Sequence, residues 1–126
     1  MEKYDKSNFA REVALLIAKN IKELTGKGPT KRKVYILDNL ILFKISGFLS
    51  EGEIILCKTE QGKEKVKQYR LELAKVINEN IRGNLNVLIG LEPNNIYFDC
   101  NPEIDEGIMV LSFMDNLSNY FTDDNS

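Results

Sequence analysis

The chain has 126 residues, 43% of them apolar, with 17 Lys or Arg against 19 Asp or Glu and no histidine. Such a length predicts one domain that buries roughly two-thirds of its unfolded surface without needing a disulfide or metal staple. Lack of histidine removes the commonest general base and metal ligand, and two isolated cysteines, Cys57 and Cys100, cannot build a zinc site between them.

The net charge of −2 hides a polarised chain. All 17 cations lie at or before Arg82, whereas the segment after it carries eight acidic residues and no basic one. Charge distribution governs encounter with partners more than the sum does. The charged N-terminal start has no apolar signal-like segment behind it, and no apolar run is long enough to span a bilayer, so the expected location is cytoplasmic. A membrane would be reached peripherally, through a partner, without direct insertion.

Phe9, Val13, Leu16, Ile17, Ile21 and Leu24 recur at helical spacing, with Asp5 or Ser7 as N-cap and Gly26 as the stop. Next comes a basic segment, in which Lys27, Gly28, Pro29, Lys31, Arg32 and Lys33 form a candidate partner- or anion-binding loop. The competing reading is a helix C-terminus followed by solvated charge, since cations suit that end of a helix dipole.

Residues 33–37 and 40–45 are two β-rich runs separated by Asp38 and Asn39, which tolerate positive φ, so a hairpin is predicted with Leu37 opposite Leu40. In that register Val34, Ile36, Ile41, Phe43 and Ile45 share one face; Tyr35, Leu37, Leu40 and Leu42 share the other. Both faces are apolar. The second set is therefore a candidate dimer face, to be covered by a helix or by another copy.

Ser50 and Glu53 form a capping-box pattern between Leu49 and Ile54, which predicts a helix start. The helix is expected to pause near Gln61 and Gly62, resume from Lys63 to Arg82 with Val66, Tyr69, Leu73, Val76, Ile77 and Ile81 on one face, and be interrupted at Gly83. Arg70 falls inside that apolar stripe, so its charge needs a partner; Glu53, Arg70 and Asp99 are the candidate structural ion pair. Two further strands are predicted over 95–100 and 107–113, joined by an acidic turn whose Asp99, Glu103, Asp105 and Glu106 lack the spacing of a calcium loop. The whole reads as a two-layer α+β domain over 1–114, in the order α-β-β-α-β-β, with antiparallel hairpins packed on helices and a frayed acidic tail over 115–126. A helix, a Gly-x-x-Pro and a hairpin occur in each half, a weak hint of duplication that common helix stops also explain.

The landmarks Gly26, Gly28 and Pro29, then Gly47, Leu49, Ser50 and Glu53, Gly62 with Arg70 eight positions on, Gly90, and Asp99 ending the third strand come in a specific order. Together they resemble a bacterial family, formerly a domain of unknown function, named for the soluble C component of a sodium-translocating, membrane-potential-generating system. The resemblance implies a non-catalytic accessory or interaction subunit of a membrane cation-translocating system, with an integral membrane protein as partner, and supplies neither catalytic residues nor a cofactor. With the doubly apolar hairpin, the expectation is a homodimer without catalytic, metal or cofactor site. The alternative is a nucleic-acid or nucleotide-binding module using Gly26 to Lys33, which a sequence pI near 5.3 and the scarcity of aromatics among the cations argue against.

Overall fold

A computed structural model describes residues 5–121. Helix α1 (Lys6–Thr25) is followed by strands β1 (Lys31–Leu37) and β2 (Leu40–Ser46), a short helix α2 (Glu51–Leu56), the long helix α3 (Glu60–Ile89), and strands β3 (Asn95–Asn101) and β4 (Glu106–Ser112). A 3-10 turn, Pro102–Ile104, joins the last two strands, and another, Leu117–Tyr120, follows them. All neighbouring strands are antiparallel in the order β1-β2-β4-β3, so the two hairpins meet along their second strands. The expected α+β class and α-β-β-α-β-β order are what the structure shows.

Local chemistry sets the helix limits. Asp5 caps α1, its carboxylate accepting from the Asn8 N–H, and Gly26 closes the helix at φ 83°. Ser50 and Glu53 form both halves of the predicted capping box. The break before α3 falls at Cys57–Thr59, with Thr59 as the new N-cap, and not at Gly62. Gly62 lies in the first turn of α3 because a Cβ there would sit 1.6 Å from the Leu56 carbonyl oxygen. Nor does Gly83 interrupt α3, which runs on to Ile89 and ends at Gly90, φ 71°. One glycine within a long helix costs only about 1 kcal/mol, less than the packing of Leu85 and Ile89 returns.

Both long helices cover the same face of the sheet, α1 over β1 and α3 over β3. The core lies between the layers: Phe9, Val13, Ile17 and Ile21 of α1, Val66, Ile77, Ile81 and Leu85 of α3, and Ile41, Phe43, Met109 and Leu111 of the sheet. Tyr69 and Val76, expected on the inner stripe of α3, are more than half exposed; the buried stripe runs Val66, Arg70, Ala74, Ile77, Ile81 at strict helical spacing. The stretch 115–121, expected to fray, packs back instead. Leu117 is buried with its N–H on the Asp38 carbonyl, and the Phe121 ring meets Phe9 edge-on at 4.8 Å. The acidic end at Asp123 and Asp124 lies outside the described residues, as does the start at Met1 to Tyr4.

Candidate functional site

Arg70 reaches the core side of α3 because its position repeats the buried stripe, and its charge is met there. Its Nε donates to Glu53 Oε2 at 2.7 Å and its Nη2 to Glu53 Oε1 at 2.6 Å, a two-pronged pair with both side chains nearly buried. Nη2 also donates to the Phe48 carbonyl at 3.2 Å, and the guanidinium lies 5.2 Å from the centre of the Phe48 ring. Burial alone would raise the Glu53 carboxyl, but hydrogen bonds from Arg70 and the Ser50 N–H, with the Arg70 charge, hold it below its ordinary value. Glu53 thus caps α2 and ties it to α3 at once.

Asp99 does not join them, contrary to expectation. It stands on the sheet face turned from the helices, and at the edge of β3 its carboxylate meets Lys67 at 3.5 Å and accepts from the Cys100 N–H. The residue that completes the junction is Asp105, which the sequence placed only in a solvated turn. At φ 52° its carboxylate accepts from the N–H groups of Phe48 and Leu49 at 2.9 and 3.0 Å, while its carbonyl accepts from Gly47. Only the pairing of β2 with β4, invisible in the sequence, brings 105 to 48.

Three of the eight acidic residues after Arg82, Asp99, Glu103 and Glu106, meet cations of the earlier segment within the molecule. Lys63 pairs with Glu60 and Glu103, each at 3.0 Å, and Lys44 with Glu106 at 3.7 Å. Donation to Glu60 and Glu103 raises the Lys63 pKa. Lys63, Lys67, Asp99, Glu103 and Glu106 line an open groove of about 520 Å³ between α3 and the β3–β4 turn. Cys100 lies at its floor, its thiol pushed up to about 11 by burial first and then by the Asp99 charge. Burial, then the Glu53 charge, also raises Cys57. Among the described residues no cluster of three or more potential metal-ligating side chains occurs.

The basic segment does not converge on a point. Lys27 donates its Nζ to the Leu49 carbonyl at 2.7 Å, the Lys27 and Thr30 N–H groups are engaged by Thr25 and by Ser46 and Gly47, and Lys31, Arg32 and Lys33 belong to β1. Their side chains therefore alternate between the two faces of an edge strand, which itself guards that edge against pairing.

The hairpin register is as expected, with Leu37 opposite Leu40 and Tyr35 opposite Leu42. Val34, Ile36, Ile41, Phe43 and Ile45 face the helices; Tyr35, Leu37, Leu40 and Leu42 lie on the open face, which no helix among the described residues covers. Tyr35 is 44% and Leu37 58% exposed, while Leu40 and Leu42 are half-buried by their neighbours. Strand order adds residues that the hairpin alone could not reveal. Val110 lies beside Leu42 and Tyr97 beside Val110, with Ile108 one row below, so the apolar strip crosses all four strands. Alternation in β4 was the available signal; without the strand order it could not be joined to the first hairpin.

Residues 5–115 match the protein family described as "Na+-translocating membrane potential-generating system (MpsC)". The chain belongs to the MpsC family. Two relatives from Bacillus subtilis (strain 168) are similar to it: the uncharacterized protein YbcI, 24% identical over 91% of this chain and 93% of its own, and the uncharacterized protein YrhF, 28% identical over 79% and 80%. No solved structure matches. Five of the landmarks that carried the resemblance to the MpsC family gather at one place, while Gly26, Gly90 and Asp99 stand elsewhere. Gly47, Ser50, Glu53, Gly62 and Arg70 all build the turn from β2 through α2 into α3, where Gly47 takes φ 66° against Thr30 and Gly62 takes the close approach of α2. Among the described residues no helix is long and apolar enough to cross a membrane.

Proposed function

We propose that this MpsC-family protein is a non-catalytic accessory subunit, cytoplasmic in location, that acts by associating with other protein surfaces in a sodium-translocating, membrane-potential-generating system. One observation carries the reading: a contiguous apolar strip across a four-stranded sheet, covered by no helix among the described residues, on a chain of this family. Single exposed apolar residues are ordinary on any surface, but a connected strip of Tyr35, Leu37, Leu42, Val110, Tyr97 and Ile108 marks a place of association. The charged groups that stand out in the sequence fit the same reading, because Arg70, Glu53 and Asp105 hold elements together.

The test is a sodium pulse applied to everted membrane vesicles from cells lacking this protein, with potential read by a voltage-sensitive dye. Added purified protein is expected to increase the sodium-dependent potential, and integral membrane proteins of that system should co-purify with it after detergent solubilisation. Identical traces with and without the protein would overturn the reading.

A further inference from the structure

We propose that the open sheet face pairs with the same face of a second copy about a two-fold axis parallel to the strands, making a four-layer homodimer with helices outside. This deepens the interaction-subunit reading by naming one occupant of its surface.

The argument comes from the rows of the sheet. Across the open face, one row reads Tyr35, Leu42, Val110, Tyr97, and the next reads Lys33, Lys44, Ile108, Asp99, each in the order β1, β2, β4, β3. A two-fold axis in the interface along the strands keeps each row in place but reverses strand order. Leu42 then lies over Val110 of the second copy, Tyr35 over Tyr97 of the second copy, and Lys33 over Asp99 of the second copy. In the first row apolar meets apolar throughout; in the second a cation meets an anion at both rims, because the face is basic toward β1 and acidic toward β3, while Lys44 lays its alkyl stem over Ile108 and keeps its ammonium toward the edge. An axis running across the strands through the middle of the sheet instead stacks β1 on β1 and β3 on β3, setting Lys33 over Tyr35 and Asp99 over Tyr97 of the second copy, so that neither rim charge meets its opposite and Leu42 lies over Lys44. Aligned packing of two twisted sheets turns one on the other by about 30°, which moves an outer strand by only about one residue, within the reach of a lysine.

Size gives the expected strength. Four strands about 4.8 Å apart with seven residues each of about 3.3 Å make a face of roughly 19 by 23 Å, or about 440 Å². Two copies cover about 900 Å² before side-chain relief is counted, near the ~1,000 Å² at which specific pairing begins. That area predicts a dissociable dimer with a constant in the micromolar range, of the order of 1–10 μM.

Sedimentation velocity across a dilution series tests the pairing with the purified full chain. The wild type is expected to pass from dimer to monomer on dilution. Leu42→Lys should weaken pairing more than about 100-fold, and Lys33→Asp or Asp99→Lys singly about 10-fold, whereas Lys33→Asp with Asp99→Lys recovers most of the loss, because each rim pair is then restored with its sign reversed. Circular dichroism confirms that each variant folds, and Lys33, exposed on an edge strand, is the substitution least able to disturb folding. A wild-type monomer at about 200 μM, well above the expected constant, would overturn the proposal. So would a dimer indifferent to Leu42→Lys, or one in which the double charge reversal is no better than either single change. The vesicle potential reads a separate matter: a dimer without effect on potential leaves the pairing and removes the subunit reading, and a monomer that raises the potential does the reverse.

Discussion

Replacing Arg70 by Met removes a buried charge while keeping much of its volume, and isolates what the Arg70–Glu53 pair contributes. Arg70 makes two charge-assisted bonds to Glu53 and one to the Phe48 carbonyl, with side chains 5% and 11% exposed. Breaking a buried pair costs about 3–5 kcal/mol, mostly because the remaining charge is left without its partner. Glu53 keeps the Ser50 N–H and lies near the rim, so the lower end applies: about 3 kcal/mol. For a chain of this length that is a fall in Tm of roughly 12 °C, and an equal loss should appear in urea unfolding. Adding Glu53→Gln to Arg70→Met removes the stranded charge and should recover more than about 1 kcal/mol. The pH dependence follows from the lowered Glu53 pKa. A carboxyl depressed on folding stabilises fully above its ordinary 4.5 and loses that contribution as pH falls through the lower folded value. The gap between wild type and Arg70→Met should therefore narrow in acid. A loss below about 1 kcal/mol at pH 7, or a gap that widens on acidification, would refute the reasoning.

The two helix glycines should answer in opposite directions. Gly62→Ala drives a methyl into the Leu56 carbonyl and should cost about 3 kcal/mol, whereas Gly83→Ala, with nothing within 4 Å of the new Cβ, should gain about 1 kcal/mol; urea midpoints decide both. Asp105→Ala strips the acceptor from the Phe48 and Leu49 N–H groups and should cost about 2 kcal/mol, while Asp105→Asn keeps a carbonyl oxygen in place and a side chain that tolerates positive φ, and should cost less than half of that in the same assay. Cys100, with its thiol at about 11, should be alkylated slowly at pH 8 in the native protein and accelerate toward pH 11, as read by mass spectrometry of the modified peptide. Fast native modification at pH 8 would contradict its burial.

Local signals accounted for most of the elements. The cap at Asp5, the stop at Gly26, the box of Ser50 and Glu53 and the two-residue turn at Asp38 and Asn39 each act within four residues, so neighbouring sequence suffices to show them. Gly62 and Gly83 misled for different reasons: Gly62 admits the close approach of the Leu56 carbonyl and marks no break, whereas nothing lies within 4 Å of a Cβ at Gly83, which the helix runs through because the residues beyond it pack in the core. Arg70 was legible as a buried charge because helical spacing places it on the apolar stripe, and Glu53 was within reach as its partner; Asp99 was excluded only by the strand face on which it stands.

By itself the sequence determined the element order, the hairpin register and the presence of a ribbon apolar on both sides, since each rests on periodicity and turn chemistry along a few residues. Tertiary structure alone decided that β2 lies beside β4. That one adjacency brings Asp105 to Phe48 and Glu106 to Lys44 and extends the exposed apolar strip from Tyr35 to Tyr97, while the packing of α3 on the second hairpin sets Lys63 and Lys67 against Glu103 and Asp99. Pairing between strands 60 residues apart depends on how both hairpins pack beneath α1 and α3, and no local propensity records it.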